Sequence, residues 1–219
     1  MAISVALFER PSTVDTITPM NTFLHVGCGP KHKAHTTPGF NTPDWNELRF
    51  DIDPSVQPDV QGTMTDMSAV PSGSVKAVFS SHNIEHLYPH EVPVALQEFA
   101  RVVSADGFVV ITCPDLQGVC ELVAQDKLTE AAYQSPAGPI APIDILYGHR
   151  PAMARGNLFM AHRCGFTQKV LTATLQAAGF VGVASRRRAG PYFDLWALAT
   201  RQSVPEDEMR RLAESHFPK

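Results

Sequence analysis

Short apolar runs of strand length alternate along this chain with longer segments of helical period, and that alternation restricts the fold to a parallel sheet flanked by helices. Residues 22–26 (TFLHV) read as a first strand, 47–52 (ELRFDI) as a second, 74–80 (SVKAVFS) as a central strand and 108–113 (FVVITC) as another buried one. The His- and Pro-containing stretch between the first two is poor helix material, so a short irregular crossover is expected there. Between 92 and 104, Val94, Leu96, Phe99 and Val102 recur at helical spacing, followed by an Asp106-Gly107 turn. Residues 167–178 read as a helix capped by Thr167 and stopped by Gly179. The connection at 186–191 is too short for a helical crossover, so closing strands at 181–185 and 192–200 should be antiparallel neighbours. Residues 205–216 read as a surface helix, with Glu206, Asp207 and Glu208 matching its dipole.

From Pro114 to about Ala161 the pattern lapses, as Pro136, Pro139, Pro142 and Pro151 gather with several glycines. The organisation expected is therefore one domain over residues 1–219, with a lid or substrate insertion at 116–161 and a helical tail at 203–219. A length of 219 residues, 44% hydrophobic and 18% charged, suits such a domain and excludes disorder and fibre. No apolar run reaches the roughly 18 residues of a membrane span, and Glu9 and Arg10 interrupt the N-terminal stretch where a secretory core would continue. The expectation is a cytoplasmic protein without a membrane partner. Lys plus Arg number 18 against 22 for Asp plus Glu, a formal charge of -4, which offers no track for nucleic acid. Cys28, Cys113, Cys120 and Cys164 have no C-x-x-C spacing and read as buried free thiols of a reducing compartment. Oligomeric state is open.

The most informative segment is the strand that runs into Gly27-Cys28-Gly29-Pro30, where glycine lets the backbone approach a ligand closely. A dinucleotide fingerprint needs a third glycine three positions after Gly29, where His32 stands, so a nicotinamide cofactor is disfavoured. Asp51 ends the second strand, where a carboxylate accepts hydrogen bonds from both hydroxyls of a ribose; Asp53 could substitute. Thr65-Asp66-Met67 would bring a second carboxylate beside the same crevice, toward an adenine amine. The alternative is that both acids merely cap turns.

The phrases LHVGCGP at 24–30, LRFDIDP at 48–54, GTMTDMSAVP at 62–71, VFSSHNIEHL at 78–87, EFARVVSADGFVVITCPDL at 98–116 and AAGF at 177–180 follow one another in a distinctive order. Over about residues 22–201 the chain resembles the class I S-adenosylmethionine-dependent methyltransferases, most of all their compact branch of small-molecule or glycan pathways. The resemblance implies an α/β, Rossmann-like, doubly wound and mainly parallel seven-stranded sheet with an antiparallel last strand, and S-adenosyl-L-methionine as cofactor. It implies that Gly27, Cys28 and Gly29 face the methionine and ribose, Asp51 and Ile52 the ribose, Asp66 and Met67 the adenine, and that Ser80, Ser81 and His82 line the rim. Two departures stand out: Lys76 replaces the acid usual before the fourth strand, and Pro30 follows Gly29 where the family has a further glycine. The activity implied is methyl transfer to oxygen or nitrogen of a small metabolite. A non-methylating displacement on the same cofactor, or a noncatalytic binding module, are the alternatives.

His82, Glu85, His86 and His90 crowd the end of the fourth strand. On a helix His82 and His86 would share a face, a spacing that binds zinc, but Asn83 stands where a metalloprotease has glutamate and Pro89 intervenes before His90. No metal is expected, and Glu85 and His86 are read as hydrogen-bonding within the fold. His82, at a strand's carboxyl end, is a candidate base for the acceptor's proton. His149 and His162 flank the insertion and are further catalytic candidates, with ordinary loop histidines as the alternative. Arg150, Arg155 and Arg163 suggest an anionic small-molecule substrate, against the plainer reading of solvated loop arginines.

Overall fold

The computed structural model describes residues 20–188 and 190–219; Glu9 and Arg10, which carried the reading against a secretory leader, lie outside them. In chain order the elements are β1 (Asn21–Val26), β2 (Trp45–Asp51), β3 (Val60–Gln61), β4 (Val75–Ser81), α1 (Val92–Val102) and β5 (Val103–Pro114). After them come α2 (Leu116–Val123), a hairpin of β6 (Tyr133–Ser135) and β7 (Gly138–Ile140), α3 (Pro142–Tyr147), α4 (Arg150–Ala154), α5 (Gln168–Ala177), β8 (Gly182–Arg188), β9 (Asp194–Thr200) and α6 (Glu206–His216).

Seven strands form one sheet in the order β3-β2-β1-β4-β5-β9-β8, parallel from β3 to β5, with β9 antiparallel to both of its neighbours. The chain leaves β1 toward one edge and returns to the other side at β4. That reversal opens a crevice beyond the carboxyl ends of β1 and β4. Both faces of the sheet are covered, which is why the central strands β1, β4 and β5 carry buried apolar runs. On one face Leu24, Val26, Val78 and Ile111 pack with Leu96 and Phe99 of α1 and Leu171 and Leu175 of α5. Thr167 caps α5, its hydroxyl accepting the Val170 N–H at 3.4 Å.

The other face is built differently, because the β1–β2 crossover supplies only a 3-10 turn at Lys33–His35. Phe40 from that crossover stacks on Phe23 at 4.4 Å between ring centroids, and α6 closes over it with His216 at 4.3 Å. A helix from the end of the chain thus replaces the helix that the crossover lacks.

Three expectations are corrected. The Asp106-Gly107 turn is not a break: β5 begins at Val103 and absorbs it, with the register against β4 slipping between Val75 and Ala77. Lys76 Nζ holds the slipped segment through Asp106 Oδ2 at 2.6 Å. Arg186, Arg187 and Arg188 are not a connection but the end of β8, where Arg187 and Arg188 pair with Asp115 and Asp194. Only Cys28 and Cys113 are buried; Cys120 is exposed and Cys164 half-buried, and all four are free thiols. Among the described residues, no helix is long and apolar enough to cross a membrane.

Candidate active site

A cavity of about 530 Å³ lies at the crevice. Its floor is the loop after β1, which the sequence bends by placing glycine at two left-handed positions, Gly27 (φ +60°) and Gly29 (φ +51°). A Cβ on Gly27 would lie 2.1 Å from Asn83 Oδ1, so glycine is what lets Asn83 approach. Asn83 Nδ2 donates to Val26 O at 2.9 Å and to Ser81 O at 3.1 Å, tying together the ends of β1 and β4. A Cβ on Gly29 would meet nothing within 4 Å, because that side of the residue faces open space.

Asp51, 9% exposed, ends β2 beside this loop. Its Oδ2 accepts the Gly29 N–H at 2.8 Å and its Oδ1 the Asp53 N–H at 2.9 Å. Each oxygen keeps lone pairs for a further donor, so the carboxylate is held in place before any ligand arrives. Beneath it Arg49, 7% exposed, donates to the carbonyls of Lys31 at 3.2 Å, Gln57 at 2.7 Å and Gly29. Arg49 is a positioning residue that sequence reasoning missed; its signal was a cation between the apolar Leu48 and Phe50 of β2. Burial pushes the Cys28 thiol up to about 11, so it is no nucleophile.

On the opposite wall His82 adopts φ +55°, a left-handed conformation uncommon for a residue with a side chain. Its ring is half-exposed, and its Nδ1 lies 3.4 Å from Oε1 of Glu85, which is 1% exposed in the turn Ile84–His86. Partial burial lowers the His82 pKa, but the Glu85 carboxylate outweighs it and the net shift is upward. Burial likewise works against ionised Glu85, while His82, with His86 and His162, draws it below the usual carboxylate range.

Of the residues expected to hold the cofactor, Gly27, Cys28, Gly29, Asp51, Ile52, Ser81 and His82 line the cavity. Asp66 and Met67 do not; the same segment contributes Gly62, Thr63 and Met64 instead. Asp66 turns outward to accept the Ser68 N–H at 3.1 Å, and Met67 is fully buried in the core, its N–H bound to Glu98. His162 lines a second cavity of about 250 Å³ with Glu85 and Ile145, and burial lowers its pKa. His149 precedes α4 and lines neither of these two cavities. Arg150 is neutralised by Asp144 at 2.6 Å, and Arg155 is exposed outside both cavities. Arg163 does line the main cavity, together with Asn157, Phe159 and Met160.

Residues 24–111 match the family described as a methyltransferase domain. Over those residues the chain carries a methyltransferase domain, consistent with the class I S-adenosylmethionine-dependent methyltransferases. Solved structures share this methyltransferase's fold at low identity. The 1,6-didemethyltoxoflavin-N1-methyltransferase of Burkholderia thailandensis, solved with 1,6-didemethyltoxoflavin and S-adenosylhomocysteine, is 14% identical with a TM-score of 0.54, over 84% of this chain and 72% of that one. A methyltransferase of Methanosarcina mazei is 11% identical with a TM-score of 0.54, over 90% and 100%. A possible histamine N-methyltransferase of Thermotoga maritima is 12% identical with a TM-score of 0.51, over 85% and 84%. No curated protein matches the chain.

The activity is methyl transfer from S-adenosylmethionine, which is the cofactor. The residues present fit it: a loop whose Gly29 leaves open space for close backbone approach, and at its edge a fixed carboxylate with free lone pairs for a diol.

Proposed function

We propose that this methyltransferase acts on an oxygen or nitrogen of a small metabolite, with His82 taking the acceptor's proton. The observation that carries the reading is His82 itself, held at φ +55° on the rim of the cavity, its ring half-exposed and Nδ1 facing the Glu85 carboxylate. S-adenosylmethionine supplies an electrophilic methyl group on a sulfonium. Asp51 would hold the ribose hydroxyls and the backbone of Gly27 to Gly29 the methionine end. Thr63 and Met64, rather than Asp66 and Met67, would meet the adenine. Phe159 and Met160, from the 116–161 insertion, would exclude water above the acceptor, which favours a displacement that depends on close approach. The Burkholderia N1-methyltransferase, solved with both 1,6-didemethyltoxoflavin and S-adenosylhomocysteine bound, supports a small-molecule nitrogen acceptor. Arg163 and Lys31 line the cavity, so an acid group on the acceptor would find a cation there.

The test is a panel of small amines, phenols and carboxylate-bearing acceptors with S-adenosylmethionine, read by mass spectrometry. Acceptor-dependent methylated product is expected, with kcat down roughly 100-fold in His82→Ala and S-adenosylhomocysteine affinity retained. Acceptor-independent consumption of S-adenosylmethionine would replace this reading with an internal displacement on the cofactor.

A further inference from the structure

The Glu85 carboxylate is 1% exposed, and neither of its oxygens has a hydrogen-bond partner. An ionised group buried this way demands compensation. His82 supplies part of it, facing Oε1 at 3.4 Å, which leaves the second oxygen unaddressed. Two more histidines converge on the same carboxylate. His86 Nδ1 donates to Ala161 O at 3.1 Å, and His162 Nδ1 donates to Ile145 O at 2.7 Å. A carbonyl oxygen only accepts, so in both rings Nδ1 carries a proton, and in the neutral ring Nε2 then keeps a lone pair. Anchoring one ring nitrogen to a backbone carbonyl while the other faces inward is how proteins orient histidines for metal.

We propose that Glu85, His86 and His162 form a binding site for a divalent first-row transition metal of the Zn²⁺ class. Their ligand atoms lie within 4.8 Å of one another, and the two rings meet at 63° with centroids 4.9 Å apart. Imidazole and carboxylate donors together suit such an ion. The nearby Cys164 is not a ligand, since burial pushes its thiol up to about 11 and its Sγ faces Ile84 O at 3.4 Å.

The triad comes from distant segments joined by a specific contact. Gly148 (φ +100°) bridges to Ala161, and a Cβ on Gly148 would lie 2.0 Å from Met160 O, so glycine there lets the end of the insertion seat His162 against His86. The absence of metal expected from sequence rested on a helical His82 and His86 pair and on the Pro89 that precedes His90. That segment is a 3-10 turn, and the second imidazole comes from the far end of the insertion. His86 lines the main cavity, whereas Glu85 and His162 line the second. Three protein ligands leave a coordination position open on an ion between the cavities, where a substrate oxygen could bind; this last role rests on the methyl-transfer reading.

The test uses the full chain, free of any tag and freed of metal by a chelator, titrated with Zn²⁺ against a chromophoric competitor and with Co²⁺ by visible absorption. S-adenosylhomocysteine is titrated in parallel. One equivalent of Zn²⁺ is expected to bind more tightly than about 1 µM, with Co²⁺ giving d–d bands. His86→Ala and His162→Ala should each weaken binding about 100-fold or more. Glu85→Gln keeps the side chain's size and should weaken the metal while leaving S-adenosylhomocysteine affinity unchanged, which shows that the fold is intact. Wild type that binds S-adenosylhomocysteine but no metal overturns the site, as does metal binding that both histidine variants retain. Metal binding without any S-adenosylhomocysteine binding would instead uphold the site and remove its role in methyl transfer.

Discussion

The Gly29 N–H donates to Asp51 Oδ2 at 2.8 Å, so the glycine loop and the carboxylate beside it form one rigid unit rather than two independent features. A ribose bound at Asp51, as proposed, would share these oxygens with the loop. Asp51→Ala removes two charge-assisted acceptors for the ribose, a loss of about 2–4 kcal/mol, or roughly 30- to 1,000-fold in S-adenosylhomocysteine affinity. Asp51→Asn keeps one acceptor and should lose less. Calorimetric titration checks both, and unchanged affinity in the alanine variant would remove Asp51 from the ribose site.

Gly27 and Gly29 should separate folding from binding. Both sit at positive φ, so alanine costs backbone strain at either, on the order of 1 kcal/mol. Only at Gly27 would the new methyl strike Asn83 and displace the bonds that tie β1 to β4. Gly27→Ala should therefore lower the melting temperature well beyond Gly29→Ala. Gly29→Ala should stay folded yet lose cofactor affinity, because its methyl projects into open space beside Asp51. Thermal melts with and without S-adenosylhomocysteine distinguish the two, and equal melting temperatures would contradict the Asn83 clash.

The contrast between these glycines also marks what the sequence could and could not convey. Period and apolarity placed β1, β2, β4, α1 and α5 to within two residues, since each carries its own local apolar pattern. Gly27, Gly29 and Asp51 were readable because each sits at a strand end, where local order predicts position. Asp66 and Thr63 could not be told apart by pattern, because which of them reaches the cavity depends on a tight turn closed by the Thr63 to Asp66 bridge. Nor could His162 be joined to His86, since their meeting depends on the path of the segment between β5 and α5, whose prolines hide its short helices. Arg187 read as part of a loop because its counter-charge, Asp115, is supplied by another strand's end.

That pair carries its own test. Asp115 is fully buried, caps α2 by accepting the Gln117 N–H at 3.2 Å, and receives Arg187 Nε on its other oxygen. Arg187→Met leaves a buried carboxylate without its cation and should cost about 3–5 kcal/mol. Asp115→Asn in the same background should recover part of that loss. A urea-denaturation cycle of the single and double variants measures the coupling, and strictly additive losses would show that the pair contributes nothing specific.

His216 gives the fold an acid limit. Its ring, 3% exposed, packs on Phe40 and Phe108, and Nδ1 meets the Thr37 hydroxyl at 2.7 Å. Burial lowers its pKa from 6.5 to about 4, so the folded state holds the ring neutral where the unfolded chain would protonate it. Fewer protons are bound in the folded state between those values, and stability must fall as pH drops from 6.5 toward 4. The full loss is about 3 kcal/mol, most of it below pH ~6. His216→Phe abolishes the titration while keeping the aromatic contacts. Its stability, measured by urea denaturation, should therefore decline less than wild type between neutral and mildly acidic pH, by more than about 1 kcal/mol. Parallel acid limbs in the two proteins would show that His216 is protonated in the folded state without penalty, and that α6 does not depend on the neutral ring for its seat on the sheet.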